Sequence, residues 1–599
     1  MAWYDEAVFY HIYPLGLAGA PKQNDYGEPV PRLNTLLPWV DHIKEIGGSA
    51  LYIGPLFESV GHGYETTDYK KLDSRLGTNE DLTAFVAYCH EQGIKVIFDG
   101  VFNHTGRDFF AFKDIQANRE NSHYKDWYCN VNFWGNNEYN DGFSYDNWGG
   151  YNLLVKLNQK NPAVVDYICD VIRFWVSEFD VDGIRLDAAD VLDFDFMKAL
   201  RRTANEVKPD FWLMGEVIHG DYSRWVNGET LHSVTNYTLH KALYSGHNDH
   251  NYFEIAHTVR RLQNMGTLKL YNFVDNHDVE RIYTKLTNKA HFAPVHVLLY
   301  TLPGVPSIYY GSEFGIEGRK EYGSDDSLRP ALNIEDYKDS VKTNPCTALI
   351  AALGKVRQAV PALSYGNYDE LMLTNRQFAY ARDLDGTRVI VSVNNDDAPA
   401  GMHLAAGNCT AYIGALSGEK VSVQDGHINI TQPANSGEIW VPEGTDLDVK
   451  PVKVVTKTDS EAKTNTEDKA ASETATDAKG NKEAEPKIES KESKDIVTAT
   501  ESADAKKNTT DIEKNTTAAN EVKDSAKDAS AQAAADTPVD PETITVDWSK
   551  SPESMTVPEL QAAILAKLAG NGPVDAQMKK TVVDNIWHDS LVNWLKSFR

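Results

Sequence analysis

Eight short runs rich in β-branched and aromatic residues recur between residue 1 and about residue 350, and helical patterns lie between them. Strands that alternate with helices are typical of parallel β/α architectures. Eight such units are the number that closes a (β/α)8 barrel, so the pattern predicts a barrel of the α/β class. The predicted strands are AVFYHIYP (7–14), SALYIGP (49–55), IKVIFDGV (94–101), VDGIRLD (181–187), FWLMGEV (211–217), HSVTNYTL (232–239), LKLYNFVD (268–275) and VPSIYYG (305–311).

The pattern becomes purely β after the barrel region. QFAYARDL, TRVIVSVNN and GEIWVPE are strand-like runs without helical patterns between them. We therefore predict that residues 1–365 form the barrel and that residues 366–445 form a small C-terminal β-sandwich.

The composition changes again near residue 446. No Phe, Trp or Tyr occurs between Trp440 and Trp548, where Lys, Glu, Asp, Ala, Thr and Ser dominate. Such a segment cannot bury enough apolar surface to offset the entropy of ordering, so residues 446–541 are predicted to be a disordered acidic linker. The alternative is a long solvated helix, which Ala, Lys and Glu favour and the many Thr, Ser and Asp oppose.

Residues 542–599 are predicted to form a small helical tail. Thr556-Val-Pro-Glu559 is typical of a capping box with Pro in the first turn. Two amphipathic helices of this size are too small for a robust core, so we expect them to close on each other, or to dock on the barrel or on a protein partner. Their apolar residues are Leu560, Ile564 and Leu568 in the first helix, and Val582, Ile586, Trp587, Leu591, Trp594, Leu595 and Phe598 in the second.

Charge and cysteine usage limit the class of partner. The formal net charge of −28 argues against a nucleic-acid partner, whose phosphates would be repelled. The five cysteines are an odd number at wide spacing without C-x-x-C, which is typical of free thiols in a reducing compartment. The N-terminus lacks the pattern of a signal peptide, and no apolar window reaches ~18 residues. We therefore expect a cytoplasmic protein with no membrane partner.

Four predicted strands end in ionisable or amide side chains. Because the active sites of β/α barrels lie at the carboxyl ends of the strands, these clusters should converge on one mouth. A single Asp at a strand end is more often a helix cap or an ion-pair partner, but four such clusters in barrel register are hard to explain as caps. The clusters are Asp99, Asn103 and His104 on the third strand, Arg185 and Asp187 on the fourth, Glu216 on the fifth, and Asp275, His277 and Asp278 on the seventh.

A long insertion should cover this mouth. Residues 105–158 form a loop domain after the third strand, and its segment WYCNVNFWGNNEYNDGFSYDNWGGYN is rich in aromatic and amide side chains. Sugars have apolar faces and hydroxyl rims, so such a loop suits a sugar site. No dinucleotide fingerprint, clear G-x-S-x-G or P-loop occurs. Paired carboxylates can hydrolyse a glycosidic bond, with a neighbouring Arg that favours the charged form of one acid.

The same residues resemble the α-amylase superfamily, glycoside hydrolase family 13. The motifs resemble its four signature regions in order and in strand position, and the resemblance covers about residues 1–445. Two further segments, GYETTDY and GVPSIYYGSEFG, resemble its regions after the second strand and at the eighth strand. The four signature motifs are DGVFNH (99–104), GIRLDAAD (183–190), GEVIH (215–219) and FVDNHD (273–278).

The resemblance implies a retaining α-glycoside hydrolase that cleaves α-glucosidic bonds in maltodextrins or related α-glucans. It implies that Asp187 is the nucleophile, Glu216 the general acid/base and Asp278 the third acid, which holds ring hydroxyls. Substrate-binding roles are implied for Tyr64, His104, Arg185 and His277. Asp99 is implied to support Arg185. The chemistry needs no cofactor.

This sequence also departs from the family pattern. Ala188-Ala-Asp190 stands where many members have Lys-His, and this leaves a structural calcium site without support, although Asn103 matches one expected ligand. Ile218 stands where cyclomaltodextrinases and neopullulanases usually have Trp. Two alternatives to hydrolysis stay open. One is a transglycosylase on the same substrates, and the other is an inactive amylase-like binding subunit, which would normally have lost its catalytic acids.

Overall fold

The chain divides into two units, Met1–Lys482 and Glu483–Arg599. In this computed structural model the described residues are 2–266, 268–321, 324–449, 451–452, 546, 550–552, 555–569 and 595. Most of the predicted linker, from residue 453 to residue 541, lies outside them and stays a prediction. Within the described residues, no helix combines the length and the apolar character needed to cross a membrane.

The first unit contains the predicted barrel. Its strands pair in parallel in the order β6-β5-β4-β3-β2-β1-β8-β7. A parallel bridge between Thr235 and Tyr271 joins β6 to β7 and completes the circle. The prediction of a (β/α)8 barrel is therefore confirmed. The strands are β1 (Phe9–Ile12), β2 (Ala50–Ile53), β3 (Lys95–Gly100), β4 (Gly183–Leu186), β5 (Trp212–Gly215), β6 (Ser233–Val234), β7 (Tyr271–Asn272) and β8 (Val305–Tyr309).

Helices pack around the barrel, and side-chain caps set where several of them begin. The Thr78 hydroxyl accepts from the backbone N–H of Asp81, and the amide oxygen of Asn161 accepts from the N–H of Ala163. Such caps satisfy backbone donors that the first helical turn leaves unpaired. The principal helices are Leu37–Glu45, Asn79–Glu91, Pro162–Phe179, Phe194–Val207, Tyr237–Asn248, Tyr252–Asn264, Phe292–Thr301 and Pro345–Ala359.

The sixth strand is shorter than its sequence pattern suggests. The run HSVTNYTL was expected to be a strand throughout, but only Ser233–Val234 forms one. The side chain of Asn236 accepts from the backbone N–H of Leu239 at 3.1 Å, and this bond caps the helix that begins at Tyr237. The prediction is wrong for residues 236–239 because a helix cap interrupts a β-rich composition.

The insertion after β3 forms a small sheet and a helix. Antiparallel strands His104–Thr105, Asn147–Trp148 and Tyr151–Lys156 pair with one another, and the helix Phe110–Asn118 lies beside them. A second pair of strands, Phe57–Ser59 and Thr66–Leu72, follows β2. Aromatic residues fill the core of the insertion, namely Phe112, Tyr128, Phe143 and Tyr145.

The predicted β-sandwich follows the barrel. A six-stranded sheet has the order β9-β10-β11-β16-β13-β14, and β12 pairs with β15 in a second sheet. Alternate residues serve the two faces of the larger sheet: Ile390 lies in the core shared by the two sheets, whereas Val389 and Val391 join the main core of the unit. The strands are β9 (Asn367–Leu373), β10 (Gln377–Leu384), β11 (Thr387–Asn394), β12 (Ala400–Ala405), β13 (Ala411–Gly414), β14 (Lys420–Ser422), β15 (His427–Gln432) and β16 (Ser436–Pro442).

The chain stays packed beyond the predicted end of this domain at residue 445. The backbone N–H of Val452 donates to the carbonyl of Leu416 at 2.8 Å. Leu447, Val449 and Val452 also contact the main hydrophobic core. Residues 446–452 therefore belong structurally with the sandwich.

The helix within the described part of the second unit is the first tail helix, Val557–Ala569. The carboxylate of Glu559 accepts from the backbone N–H of Thr556 at 2.7 Å and from its hydroxyl at 3.0 Å. These bonds supply the glutamate half of the predicted capping box. Leu560, Ile564 and Leu595 are buried in one cluster. Residues 571–594 and 596–599, which contain most of the second predicted helix, lie outside the described residues.

Candidate active site

The carboxyl ends of the barrel strands bring the predicted site residues together. Asp99 on β3 pairs in register with Arg185 on β4. Asp187 and Glu216 are the residues directly after β4 and β5, where the peptide leaves the barrel and the side chains reach the mouth. Asp278 follows β7 in the same mouth, as its contacts below show.

One guanidinium lies at the centre of this group. Nη1 of Arg185 is 2.8 Å from Asp99 Oδ1 and 2.8 Å from Asp187 Oδ1, and Nη2 is 2.8 Å from Glu216 Oε2. Burial opposes the charge of Arg185, but Asp99 and Glu216 hold its pKa well above the ordinary value. Arg185 therefore stays a cation that orients three carboxylates.

Side-chain exposure separates the supporting acid from the acids that a substrate can reach. The side chain of Asp99 is 0% exposed, whereas those of Asp187, Glu216 and Asp278 are 10%, 14% and 33% exposed. Asp99 lies beneath the site and accepts from Tyr52 Oη at 2.7 Å. The other three carboxylates open onto the mouth.

The Asp187 carboxyl lies in a strongly acidic environment. Burial raises its pKa well above the usual value, Arg185 opposes this rise, and Glu216 and Asp99 add to it. From the sequence we predict only that the neighbouring arginine favours the charged form of the acid. Asp187 and Glu216 thus share one cation, Arg185.

Backbone geometry next to Asp187 positions Glu216. Ala188 has φ 46° and ψ 43°, the left-handed conformation that residues other than glycine adopt infrequently. Its N–H donates to Glu216 Oε2 at 3.2 Å. On the other carboxylate oxygen, the hydroxyl of Tyr237 donates to Oε1 at 3.3 Å. Burial and the charge of Glu216 raise the pKa of Tyr237 well above its usual value, so this hydroxyl stays protonated.

Asp278 is held by two cationic or polar neighbours. His277 Nε2 lies 3.0 Å from Oδ2, and Arg329 Nη2 lies 2.9 Å from Oδ1. Burial disfavours ionisation, but His277 and Arg329 hold the pKa of the Asp278 carboxyl well below its usual range. Asp278 is therefore an anion at neutral pH.

Tyr64 forms a wall of the same mouth. Its hydroxyl contacts His277 Nε2 and donates to Asp99 Oδ2 at 3.2 Å. The rings of Tyr64 and His277 are nearly parallel, with centroids 5.7 Å apart. The two residues that were predicted to bind sugar thus form one rigid aromatic surface beside Asp278.

His104 lies near this surface, but its two ring nitrogens bond to protein atoms. Nε2 donates to the carbonyl oxygen of Tyr64 at 3.1 Å, which leaves Nδ1 to accept from the Asn103 amide at 3.2 Å. Burial lowers the pKa of His104 to about 4, so the ring is neutral at neutral pH. This geometry favours a role in positioning Tyr64.

Three residues in contact with the acids were not found from the sequence. Arg329 binds Asp278, Tyr237 binds Glu216 and Tyr52 binds Asp99. Tyr52 lies within a predicted strand and has the inward register of His11, which could have indicated its direction. Arg329 comes from an irregular segment after β8, where no periodicity gives the direction of a side chain. Tyr237 begins the helix after β6, within a run that the sequence predicts to be a strand.

The residues around Asn103 do not fit a calcium ion. Asn103 Oδ1 accepts from the Gln159 side-chain amide at 3.4 Å, and Gln159 Oε1 accepts from the backbone N–H of Asp193 at 2.6 Å. Calcium takes six to eight oxygen ligands, usually with several carboxylates. Among the described residues there is also no group of three or more His, Cys, Asp or Glu side chains that could hold a metal ion.

The fold and the mouth together define a class of enzyme. Two reachable carboxylates bridged by a buried arginine, with a third carboxylate and an aromatic wall beside them, form the machinery of a glycoside hydrolase.

Comparison with known proteins identifies the family. The model of the α-amylase catalytic domain matches residues 32–355. A cyclomaltodextrinase from a Bacillus species is 31% identical over 422 residues, which cover 66% of this chain and 74% of that protein. An intracellular maltogenic amylase of Bacillus subtilis is 29% identical over 414 residues, which cover 65% of this chain and 69% of that protein.

Solved structures agree with this result. The structure of a cyclomaltodextrinase has a TM-score of 0.66 at 27% identity and covers 73% of this chain and 78% of its own. A debranching enzyme of Nostoc punctiforme has a TM-score of 0.63 at 26% identity and covers 73% of this chain and 98% of its own. The chain therefore belongs to the α-amylase family of glycoside hydrolases. It is a retaining α-glucan hydrolase, and its chemistry needs no cofactor.

Proposed function

We propose that the three reachable acids divide the work as the sequence suggested. Asp187 is the nucleophile, Glu216 the general acid/base, and Asp278 the anion that holds hydroxyls of the sugar at the cleavage point. Arg185 and His277 bind that sugar, and Asp99 supports Arg185 from beneath. Tyr64 provides the stacking surface. The sequence predicts that His104 binds the sugar, and its bonds to Asn103 and to the Tyr64 carbonyl favour holding Tyr64 in place.

The first step breaks the glycosidic bond. Glu216 gives its proton to the glycosidic oxygen while an oxygen of Asp187 bonds to the anomeric carbon. The leaving sugar departs as an alcohol, and the rest of the substrate stays attached to Asp187 as a glycosyl ester. Asp278 is already ionised, so its negative charge stabilises the positive charge that develops on the ring.

The second step releases the product. Glu216, now a carboxylate, takes a proton from water, and the water oxygen bonds to the anomeric carbon as the bond to Asp187 breaks. Each step inverts the anomeric carbon, so the product keeps the α-configuration. Glu216 is again protonated, and Asp187 is again a carboxylate beside the Arg185 cation, which opposes the effect of burial on its pKa.

The contact of one guanidinium with both Asp187 and Glu216 carries this assignment. Retaining enzymes hold their two carboxyl groups about 5–5.5 Å apart, whereas inverting enzymes hold them about 6.5–9.5 Å apart to leave room for water. Contacts of 2.8 Å from the two terminal nitrogens of Arg185 hold both carboxylates at one guanidinium. Both acids therefore face the same cleavage point, as the two-step mechanism requires.

We further propose that the substrates are short maltodextrins inside the cell. Matching relatives are named cyclomaltodextrinase and intracellular maltogenic amylase. Transfer to a sugar acceptor instead of water remains the alternative outcome of the same intermediate. Chromatography of the products of maltotriose separates the two, because hydrolysis gives only shorter sugars whereas transfer also gives longer ones.

Replacement of the nucleophile tests the proposal. We expect Asp187→Asn to lose at least about 10⁴-fold in kcat on maltotriose, because an amide is a poor nucleophile and carries no charge. Circular dichroism would verify that the variant is folded. A folded Asp187→Asn enzyme with near wild-type turnover would remove Asp187 from the nucleophile role.

Replacement of Glu216 tests the second acid separately. Glu216→Gln should lose less activity on an aryl α-glucoside than on maltotriose, because a good leaving group needs little protonation. Azide should restore part of its turnover on the aryl glucoside, since this anion needs no general base in the second step. Equal losses on both substrates, without rescue by azide, would contradict the acid/base role.

A further inference from the structure

A hairpin of the inserted domain reaches toward the mouth of the barrel. Asn147–Trp148 pairs with Tyr151–Lys156, and Trp148 lies opposite Tyr151 across the two-residue loop Gly149–Gly150. The loop glycines have φ of 64° and 83°, and positive φ at both central residues is what a type I′ turn requires. The tip is therefore a tight turn flanked on each side by one aromatic residue.

The two aromatic residues are exposed to a degree that core packing does not explain. Trp148 is 39% exposed and Tyr151 is 60% exposed. Residues opposite one another in a hairpin project from the same face, so the two rings share one side of the tip. Trp and Tyr each have only two side-chain torsions, so holding their rings against a ligand costs little conformational entropy.

The hairpin is tied to the catalytic mouth. The end of its longer strand pairs with His104, and the Trp148 ring centroid lies 5.9 Å from that of His104. His104 in turn bonds to the carbonyl of Tyr64. His104 is buried and both of its ring nitrogens are bonded to protein atoms. Its neighbour Trp148 is partly exposed, so Trp148 can contact a ligand beside the mouth.

We propose that Trp148 and Tyr151 form a stacking platform for a glucose unit beyond the one held at Asp187. This inference rests on the proposed function, because it concerns a further unit of the same α-glucan. An aromatic ring can cover the apolar face of a pyranose, and the exposed side of the tip leaves the sugar hydroxyls in water. The platform makes kcat/KM increase with the length of the substrate.

The test compares substrates of different length in the full-length enzyme. Maltohexaose reaches beyond the cleavage point, whereas p-nitrophenyl α-D-glucoside carries a single glucose. Trp148→Ala should lower kcat/KM on maltohexaose about tenfold, equivalent to about 1.4 kcal/mol, and leave the value on the aryl glucoside within about twofold. Trp148→Phe should keep most of the activity on maltohexaose, because it retains a stacking face.

Trp134 provides a matched control. It belongs to the same inserted domain, it is 98% exposed, and its substitution removes the same side chain. Trp134→Ala should leave kcat/KM unchanged on both substrates. Tyr151→Ala should show the same dependence on substrate length as Trp148→Ala, with a smaller loss.

The outcomes distinguish this inference from the proposed function. If the wild-type enzyme hydrolyses neither substrate, the proposed function fails. If the wild-type enzyme hydrolyses both, but Trp148→Ala loses equally on both or loses on neither, the platform is refuted while the function stands. A loss on maltohexaose in Trp134→Ala as large as that in Trp148→Ala would also refute the platform.

Discussion

Asp182 offers a stringent test of how the barrel is held together at the end opposite the mouth. This carboxylate directly precedes β4 and is 1% exposed. Oδ2 lies 2.7 Å from His90 Nε2 and accepts from the Val96 N–H at 2.9 Å, and Oδ1 lies 2.9 Å from the ammonium groups of Lys95 and Lys208. Substitution to Asn keeps the shape and removes the charge.

The expected loss follows from the exposure of each partner. The side chains of Lys95 and Lys208 are 42% and 19% exposed, so each ion pair contributes about 0–1 kcal/mol, as surface pairs do. The bonds from His90 and Val96 are to a buried charge, and such bonds contribute about 1.5–3 kcal/mol each. The Asn oxygen retains part of them, so we expect Asp182→Asn to lower the free energy of unfolding by about 2–4 kcal/mol.

The loss of unfolding free energy in Asp182→Asn should become smaller at low pH. Burial raises the pKa of Asp182, but His90 and Lys208 outweigh it and hold the pKa well below its usual range. The stabilisation is therefore present above the unfolded pKa of about 3.9 and disappears as pH falls through the lower folded pKa. The difference between wild type and variant should be constant from about pH 5 to 7 and narrow in stronger acid.

Urea unfolding followed by tryptophan fluorescence at pH 7 measures the effect. Asp180→Asn is the matched control, because Asp180 contacts the same Lys208 at 2.7 Å but is 68% exposed. We expect Asp182→Asn to lower the urea concentration at the unfolding midpoint clearly, and Asp180→Asn to lower it little. Equal midpoints for the two variants would refute the reasoning from burial. Turnover below the unfolding range should be unchanged in both.

Three further predictions concern the mouth, the interior and the tail. Arg329→Gln should lower kcat/KM on maltotriose about 10–100-fold, because Asp278 loses one of the two partners that hold its carboxylate. A value within about twofold of wild type would contradict this. Burial lowers the pKa of His247 to about 3 and that of His291 to about 4. The urea concentration at the unfolding midpoint should therefore decrease as pH is lowered from about 6.5 to 4, because the unfolded state takes up protons that the folded state does not. His247→Gln should make this decrease smaller. A fragment of residues 1–452 should keep wild-type kcat on maltotriose, and its failure to fold would show that the tail contributes to the barrel.

The sequence predicted the parts of the fold that repeat. All eight barrel strands lie inside the predicted runs. The four polar clusters converge as expected because parallel strands direct their carboxyl ends to one mouth. Regular periodicity and strand direction are sufficient for these results.

Details that depend on irregular backbone could not be predicted. The direction of Arg329 is set by a loop far along the chain, and the helix cap at Asn236 overrides a β-rich run. The sequence gives no sign that both nitrogens of His104 are bonded to protein. The balance of burial and charge at Asp187 likewise depends on distances to acids on three other strands.

The anchoring of β4 at both ends has a consequence for the precision of the nucleophile. Near one end Asp182 accepts from Val96 of β3, and further along Arg185 pairs with Asp99 of β3. Sliding β4 by one residue past β3 would exchange its inward and outward side chains and break both links together. The position of Asp187 along the barrel is thus fixed by two interactions of β4 with the neighbouring strand β3, each of which involves a buried charged side chain.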